Sequence, residues 1–281
     1  MAREAFVVEF IKETRRKDPK IGGRKLWLMY KKKFADTESV GFNSFYDIIE
    51  HYGLKIRKRR RRIRTTNSNH DLPVYPNLIK DLIPDRPNML YVSDITYIPI
   101  LLEPIGNQYS FCYLSLVTDY YSKQIVGYDI GESLQASSPI NALNMALGKL
   151  TKEQRQGLIH HSDRGVQYAS FNYTEILKKE GIKISMTESG DPRDNAVAER
   201  VNNTIKNELL ADMTFFNVEE VRRAVTKAID FYNNDRPHMS LDYLTPSEAA
   251  TKSGEIKKKW TSFRELAIKN KFNQEKDLYL Q

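Results

Sequence analysis

The feature of this 281-residue chain that most limits its fold is a change of pattern at Asn88. From there, three strand-like runs follow one another, at Met89–Ile98, Tyr109–Thr118 and Gln124–Ile130, with turn-forming residues between them. Short runs rich in β-branched and aromatic residues, separated by turns, predict an antiparallel meander. The middle run is apolar on both faces, which is typical of an internal strand.

After the meander, helical and strand-like patterns alternate along the chain. An order of three strands followed by alternating helices and strands predicts an α/β fold, in which a mixed five-stranded sheet carries helices on both faces. The predicted elements are Ser138–Leu150, Gly157–His161, Phe171–Glu180, Ile182–Met186 and two longer helices near residues 194–210 and 217–233.

Three short helical patterns precede the strands. The first covers residues 1–17, the second begins near Gly23, and the third begins near Asn43, a candidate cap, and ends before Gly53. Three short helices with a basic surface are typical of a helix-turn-helix unit that contacts DNA. Many small helical bundles share the same pattern, so both interpretations stay open.

Positive charge is concentrated in the first quarter of the chain. Residues 1–70 hold 19 Lys and Arg against 8 Asp and Glu, a net charge of +11, whereas the remaining residues hold 25 and 28, a net charge of −3. Eight of the ten residues in Lys55–Arg64 are basic. This segment is either a solvated linker or localisation-type tract, or an arm that follows DNA phosphates and is stabilised by counterion release. Its candidate contacts with DNA are Arg57, Lys58, Arg59, Arg60, Arg61, Arg62 and Arg64.

These patterns divide the chain into four parts: a helical DNA-binding unit at 1–54, a basic arm and Pro-rich linker at 55–87, an α/β core at 88–250 and a C-terminal tail at 251–281. The tail is a DNA-contacting segment, a dimer-swapping arm or a disordered segment. No run approaches the roughly 18 apolar residues of a membrane span. A single cysteine, Cys112, excludes an internal disulfide and a multi-cysteine zinc site. We therefore expect a reduced, cytoplasmic protein.

Three carboxylates occupy unusual places. Asp94 lies inside an apolar strand, where Asp is depleted, and Asp163 follows a strand end, where α/β sheets place ligands. Glu199 lies on the polar side of a predicted helix that Asp194 would cap. Each also has an ordinary interpretation, as an edge position, a turn residue or a solvated helix start. Together they predict a site for hard divalent cations such as Mg²⁺, which take oxygen ligands and catalyse in-line phosphoryl displacement in pairs.

The residues around these carboxylates resemble those of DDE-class bacterial insertion-sequence transposases. The chain is most similar to their integrase-type catalytic subunit, whose ribonuclease H-like core is shared with retroviral integrases, and the resemblance covers residues 88–250 in order. Thirty-five residues separate Asp163 from Glu199, and Lys206 follows seven positions later, as in the family. The matching motifs are Ser93–Tyr97, His161–Tyr168, Asp194–Arg200 with Asn203, Thr204, Lys206 and Glu208, Tyr232–His238, and Leu244–Pro246.

This resemblance implies a DNA transposase that cleaves strands at the ends of an insertion sequence and transfers them. It implies that Asp94, Asp163 and Glu199 bind two Mg²⁺ or Mn²⁺ ions, and that Asn203 and Lys206 contact DNA. The implied partners are double-stranded DNA, as terminal inverted repeats and target, a second copy or larger assembly, and an upstream-frame helix-turn-helix protein. The implied location is the bacterial cytoplasm, in association with the nucleoid.

Two other functions remain open at this point. One is a nuclease that cuts strands without joining them, and the other is a non-catalytic repressor that occupies the element ends. The intact set of three carboxylates disfavours the repressor, because an idle cluster of like charges costs free energy through repulsion and desolvation.

Ring side chains near the carboxylates complete the expectations. Strand alternation predicts that one of His160 and His161 points inward as a hydrogen-bonded core residue. Tyr97 and Tyr168 are candidates for stacking on frayed bases at a DNA end. His238 is a candidate for orienting a loop near the site.

Overall fold

The computed structural model describes residues 2–35, 40–56, 72–103, 108–188 and 192–279. Across these ranges, no helix is both long and apolar enough to cross a membrane. The main elements, in chain order, are α1 (Ala2–Lys17), α2 (Gly23–Lys33), α3 (Phe42–His51), β1 (Leu90–Leu101), β2 (Tyr109–Asp119), β3 (Ile125–Gly131), α4 (Ser137–Leu147), α5 (Lys152–Arg155), β4 (Ile159–Ser162), α6 (Val166–Ala169), α7 (Phe171–Lys179), β5 (Lys183–Met186), α8 (Ala196–Thr204), α9 (Val218–Asn234), α10 (Pro246–Ala249) and α11 (Phe263–Tyr279).

The strands form one mixed sheet in the order β3-β2-β1-β4-β5. β1, β2 and β3 are antiparallel, as the meander predicts, whereas β4 and β5 run parallel to β1. β2 is an internal strand, which agrees with its two apolar faces. β1 pairs with β2 as far as Leu101, but with β4 only from Leu90 to Ser93.

Helices cover both faces of the sheet, as predicted, because alternate side chains of each strand enter different cores. One core lies under α8 and α9 and includes Ile98, Leu114, Val201, Ile205 and Val225. The other lies under α4 and α7 and includes Tyr91, Val117, Leu143, Tyr173 and Met186.

The first three helices enclose a core of their own, which includes Val7, Ile11, Leu26, Phe45 and Ile49. The helical unit expected before the sheet is therefore present. The third helix begins at Phe42 after Gly41, so the prediction that Asn43 caps it is wrong. The helix ends at His51, and Gly53 follows with a positive φ of 64°.

The helical unit is fastened to the α/β core by buried charge. Arg236, which follows α9, donates from Nε to Oδ2 of Asp18 at 3.1 Å, and the two side chains are 3% and 0% exposed. The same guanidinium also donates to Glu208. Because a buried ion pair requires close geometry, these contacts set how the helical unit sits on the core. Met29 of α2 packs against the cores of both parts.

One prediction about the second half of the chain needs correction. The helix predicted near 194–210 is interrupted: a 3₁₀ turn at Pro192–Asn195 precedes α8, and a π-helical segment at Ile205–Leu209 follows it. Asp194 therefore does not cap α8, because it lies inside the 3₁₀ turn. The tail contains a helix, α11, which packs Ile268 into the protein and hydrogen-bonds through Arg264 to the linker, so of the three alternatives for the tail only disorder is contradicted.

Candidate active site

Asp94 and Asp163 follow equivalent positions on two neighbouring parallel strands. Ser93 of β1 pairs with Ser162 of β4 at the last position of their shared register. The two aspartates come one residue later, so their backbones lie roughly one strand spacing, about 5 Å, apart. The structure therefore brings together the two carboxylates that the sequence placed on a strand and at a strand end.

Alternation of side chains places Asp94 on the face of the sheet that α8 covers. Val92 packs with Ala198 of α8, and Ile98 packs with Val201 of the same helix. Asp94 lies between Val92 and Ile98 in the same alternation and so points towards α8. This is the helix that carries Glu199.

Asp94 is half-buried and held by two hydrogen bonds. Its Oδ2 accepts from Nδ2 of Asn202 at 2.8 Å, and its Oδ1 accepts from the backbone N–H of Ile95 at 2.9 Å. Burial and then the charge of Asp163 raise the pKa of Asp94 to about 7, although both hydrogen bonds lower it. Glu199 makes a smaller contribution that also raises this pKa. Asp163 and Glu199 thus both act electrostatically on Asp94.

The loop after β4 is shaped around Asp163. The carboxylate Oδ1 accepts from the backbone N–H of Gly165 at 2.9 Å, and Nε of Arg164 donates to the carbonyl oxygen of Thr187 at 2.6 Å. A Cβ atom at position 165 would lie 3.0 Å from that carboxylate oxygen. Gly165 therefore leaves room for the chain to turn closely past Asp163.

Two hydrogen bonds fix the start of α8 and so the position of Glu199. Asn195 donates from Nδ2 to the carbonyl oxygen of Ser93 at 2.9 Å, which ties the 3₁₀ turn to β1. His161 Nε2 lies 3.1 Å from the carbonyl oxygen of Asp194, which ties the same turn to β4. Glu199 then lies in the first turn of α8 and is exposed.

The carboxylates offer only oxygen atoms, which Mg²⁺ and Mn²⁺ prefer. The repulsion that raises the pKa of Asp94 is one that a bound dication would relieve. Among the described residues, no group of three or more His, Cys, Asp and Glu side chains is arranged to hold a metal ion. The donor set at Asp94 and Asp163 therefore fits a hard cation, while Glu199 lies within electrostatic range without completing a cluster of three ligands.

Both histidines before Asp163 are buried, whereas the sequence predicted an inward position for only one. His160 Nε2 lies 2.8 Å from Oγ of Ser93 and 2.9 Å from the hydroxyl of Tyr173. His161 Nδ1 lies 2.8 Å from Oγ of Ser185. Burial lowers the pKa of His160 to about 3 and that of His161 to about 4, so both rings are neutral at pH 7. These histidines support the strands that carry the aspartates.

Lys206 and Tyr97 meet on the part of β1 that follows Asp94. Nζ of Lys206 lies 3.3 Å from the centroid of the Tyr97 ring, and burial lowers the pKa of this lysine to about 8. Asn203 is exposed one turn earlier and accepts a hydrogen bond from Asn207. Tyr168 is only 2% exposed, so its predicted stacking on bases is wrong, because its ring packs against Tyr173.

The predicted DNA contacts of the basic arm lie in residues 57–71, outside the described residues. They are Arg57, Lys58, Arg59, Arg60, Arg61, Arg62 and Arg64. His238, the candidate for orienting a loop near the site, is 9% exposed. Its ring packs edge-on against that of Tyr232, with ring centroids 4.7 Å apart.

Comparison with known proteins decides the family. Two models of the integrase core domain match residues 84–192 and 180–246, which together span the sheet, α8 and α9. A 31 kDa protein of insertion element IS600 from Shigella sonnei is 38% identical over 198 residues, which cover 69% of each chain. The chain belongs to the integrase-core family of insertion-element transposases.

A second relative of this transposase carries the family name directly. The transposase of insertion element IS629, also from Shigella sonnei, is 31% identical over 191 residues. The match covers 68% of this chain and 61% of that relative.

The solved structures that this transposase is similar to include retroviral integrases. The catalytic core of HTLV-2 integrase, solved as a trimer in complex with magnesium, is 20% identical to this chain with a TM-score of 0.45. The match covers 60% of this chain and 99% of the HTLV-2 core. The ribonuclease H-like fold expected from the motifs agrees with the mixed sheet and its helices on both faces.

Proposed function

We propose that this transposase cleaves DNA strands at the ends of its insertion element and joins the freed 3′-hydroxyl groups to a new phosphate, and that Asp94, Asp163 and Glu199 are its catalytic carboxylates. The observation that carries the proposal is that Asp94 and Asp163 each follow the last paired residue of two neighbouring parallel strands, and that Asp94 faces the helix of Glu199. Burial, followed by repulsion from Asp163 and Glu199, raises the pKa of Asp94, and perturbed carboxylates of this kind are frequent at functional sites.

The oxygen donors of Asp94 and Asp163, with Glu199 as a third, would hold the divalent cations of the reaction. Two bound Mg²⁺ or Mn²⁺ ions would supply Lewis-acid activation of the attacking oxygen and stabilisation of the leaving 3′-oxygen. The protein's own part is to position: Asn202 orients the carboxylate of Asp94, and Asn195 and His161 hold the start of α8 against both strands.

DNA contact falls to residues around this site and to the basic arm. Lys206 and Asn203 follow Glu199 on the same stretch of chain, and we propose that they meet the phosphates of the strand that reacts. The arm, residues 55–87, would track phosphates without reading sequence. Contact with DNA by the helical unit, residues 1–54, is part of the same proposal.

The proposed reaction needs two element ends in one complex, so we propose a homodimer or larger assembly with terminal inverted repeats and target DNA as its nucleic-acid partners. An upstream-frame helix-turn-helix protein is a further proposed partner. The proposed location is the bacterial cytoplasm, on the nucleoid.

A strand-transfer assay tests the proposal. Labelled duplexes carrying the ends of the encoding element are incubated with the purified chain and Mg²⁺, and the products are separated on a denaturing gel. We expect joined strands with the wild type, none with Asp163→Asn, and none after chelation of Mg²⁺. Glu219→Gln, which removes an exposed carboxylate on α9, is the matched control and should keep activity.

Other outcomes of this assay point to the rival functions. Nicks without joined strands would favour a nuclease that only cuts. Binding without cleavage by both the wild type and Asp163→Asn would overturn the catalytic proposal and favour a repressor of the element ends.

A further inference from the structure

We propose that Tyr97 is a positioning residue, which holds the ammonium group of Lys206 beside the acidic site, where a DNA phosphate meets it. The inference deepens the proposed function and rests on it, because it takes the DNA strand as the ligand of Lys206. The contact that carries it is the short distance of 3.3 Å from Nζ of Lys206 to the centroid of the Tyr97 ring.

The ammonium group needs a partner at this position because it has given up water. Lys206 is half-buried, and burial lowers its pKa to about 8. The negative face of an aromatic ring attracts a cation, and the attraction grows when the cation is desolvated. The ring of Tyr97 therefore offsets part of the free energy that Lys206 loses when it gives up hydration. It also fixes where the ammonium group lies.

The ring of Tyr97 is itself held in place. Tyr97 lies on β1, three residues after Asp94, and Phe111 of β2 meets its ring edge-on, with centroids 5.3 Å apart and planes at 89°. Edge-to-face pairs of this kind prefer one mutual orientation. A strand residue with a packed ring is a firmer support for a long, flexible lysine side chain than solvent is.

The backbone of Lys206 is also anchored. Ile205, the residue before it, is fully buried and packs in the same core as Ile98, the residue after Tyr97. Lys206 lies in the π-helical segment Ile205–Leu209, and π-helical turns inside helices are frequent at functional sites. Both ends of the lysine side chain are therefore tied to β1.

Tyr97 lies three residues after Asp94, on the part of β1 that is not paired with β4. The pairing of β1 with β4 stops at Ser93, immediately before Asp94, so the stretch that contains Tyr97 continues past the end of β4. Lys206 lies over this stretch. Its charge is therefore placed where a DNA backbone that reaches Asp94 passes, and the ring face that was expected to stack on a base is occupied by the ammonium group.

Nuclear magnetic resonance of the full chain tests the contact without any need for activity. Protons on the ε-carbon of Lys206 should be shifted upfield by the Tyr97 ring, and they should titrate with the lowered pKa of about 8 that burial gives this lysine. Tyr97→Phe keeps the ring and should keep the upfield shift, whereas Tyr97→Leu should lose it. Tyr109→Leu, which removes an exposed tyrosine at the end of the same hairpin, is the control and should change neither the shift nor the pKa.

Binding to a fluorescein-labelled blunt duplex, measured against KCl concentration, tests the consequence. Lys206→Gln should reduce the slope of log affinity against log salt by about 0.9, the value for one phosphate that the protein no longer neutralises. Tyr97→Leu should weaken binding roughly fivefold, in line with the removal of one partly buried cation–π interaction. The double variant should be no weaker than Lys206→Gln alone, because Tyr97 acts through the lysine, and Tyr97→Phe should bind like the wild type.

Additive effects in the double variant, or a Tyr97→Leu spectrum in which the Lys206 ε-protons keep their upfield shift, would overturn the positioning role. An unchanged salt slope in Lys206→Gln would also overturn it. These results are separate from the strand-transfer outcome, since a chain that binds as described but joins no strands keeps the Tyr97–Lys206 inference and loses the proposed catalysis.

Discussion

The side-chain amide of Asn202 donates a 2.8 Å hydrogen bond to Oδ2 of Asp94 and so ties α8 to β1 at the acidic site. Asn202 is 5% exposed and lies one turn after Glu199 on the same helix. The bond opposes the rise in the pKa of Asp94 that burial and Asp163 cause. One buried amide therefore orients the first carboxylate and fixes its spacing from the helix that carries the third.

We expect Asn202→Leu to raise the Mg²⁺ concentration needed for half-maximal strand transfer about 10- to 100-fold, the usual effect of removing a partner behind a metal ligand. The measurement is a Mg²⁺ titration of joined product. Asn207→Leu, an exposed asparagine five residues later, should keep the wild-type requirement. An Asn202→Leu protein with the same Mg²⁺ requirement as wild type would contradict the role of the amide.

Asp94→Asn should stabilise the metal-free protein while it abolishes strand transfer. In the unfolded chain an Asp ionises near pH 4, whereas in the folded chain the pKa of Asp94 is raised to about 7. The folded state thus binds more protons between these values, and stability falls as pH rises through that window. Above about pH 7 the folded protein bears the full free-energy cost of an ionised Asp94, and below about pH 4 it bears none of it.

In EDTA, the Tm of Asp94→Asn should therefore exceed that of the wild type by little at about pH 4 and by more towards about pH 8. Calorimetry at several pH values measures it. A difference that stays constant with pH would show that the folded pKa of Asp94 is not raised.

Arg236→Met should separate the helical unit from the core. The substitution leaves Asp18 buried without its partner, and breaking a buried pair in this way costs about 3–5 kcal/mol of unfolding free energy. Urea denaturation measures the loss, and limited proteolysis reports on the helical unit. Arg86→Met, which removes an exposed pair with Asp85, is the control and should cost about 0–1 kcal/mol. Equal losses in the two variants would argue against the buried pair as the fastening.

Replacing Arg59, Arg60, Arg61 and Arg62 together with Ala should reduce the salt dependence of DNA binding by up to about 0.9 in slope for each phosphate that the arm no longer neutralises. The measurement is the affinity for the fluorescein-labelled duplex as a function of KCl concentration. The folded core should keep its Tm, because these residues precede the sheet. A slope equal to that of the wild type would mean that the arm does not lie on DNA.

Local patterns predicted much of the fold. The meander Met89–Ile130 and the strand before Asp163 follow from residue types at neighbouring positions, because strand propensity and turn chemistry act over short stretches. The start of α8 was missed for the opposite reason. Asn195 and Asp194 are bonded to Ser93 and His161, which lie far away in the chain, and such contacts override a local capping signal.

The motifs around Asp94, Asp163 and Glu199 were enough to predict which residues form the candidate site. They carried no information on how closely the carboxylates meet, or on the buried amide of Asn202 that orients one of them. Tyr97 and Lys206 were each singled out from sequence, but their contact was not, because more than a hundred residues separate them.

The sequence by itself therefore determined the order of the elements, the spacing of the acidic residues and the family, since all three follow from short-range patterns of residue types. Only the tertiary structure decided that Asp94 and Asp163 follow paired residues of neighbouring strands, that Lys206 lies on Tyr97, and that Arg236 binds Asp18. Those relationships depend on burial and on geometry between distant segments, and they exist only once the sheet and helices have packed.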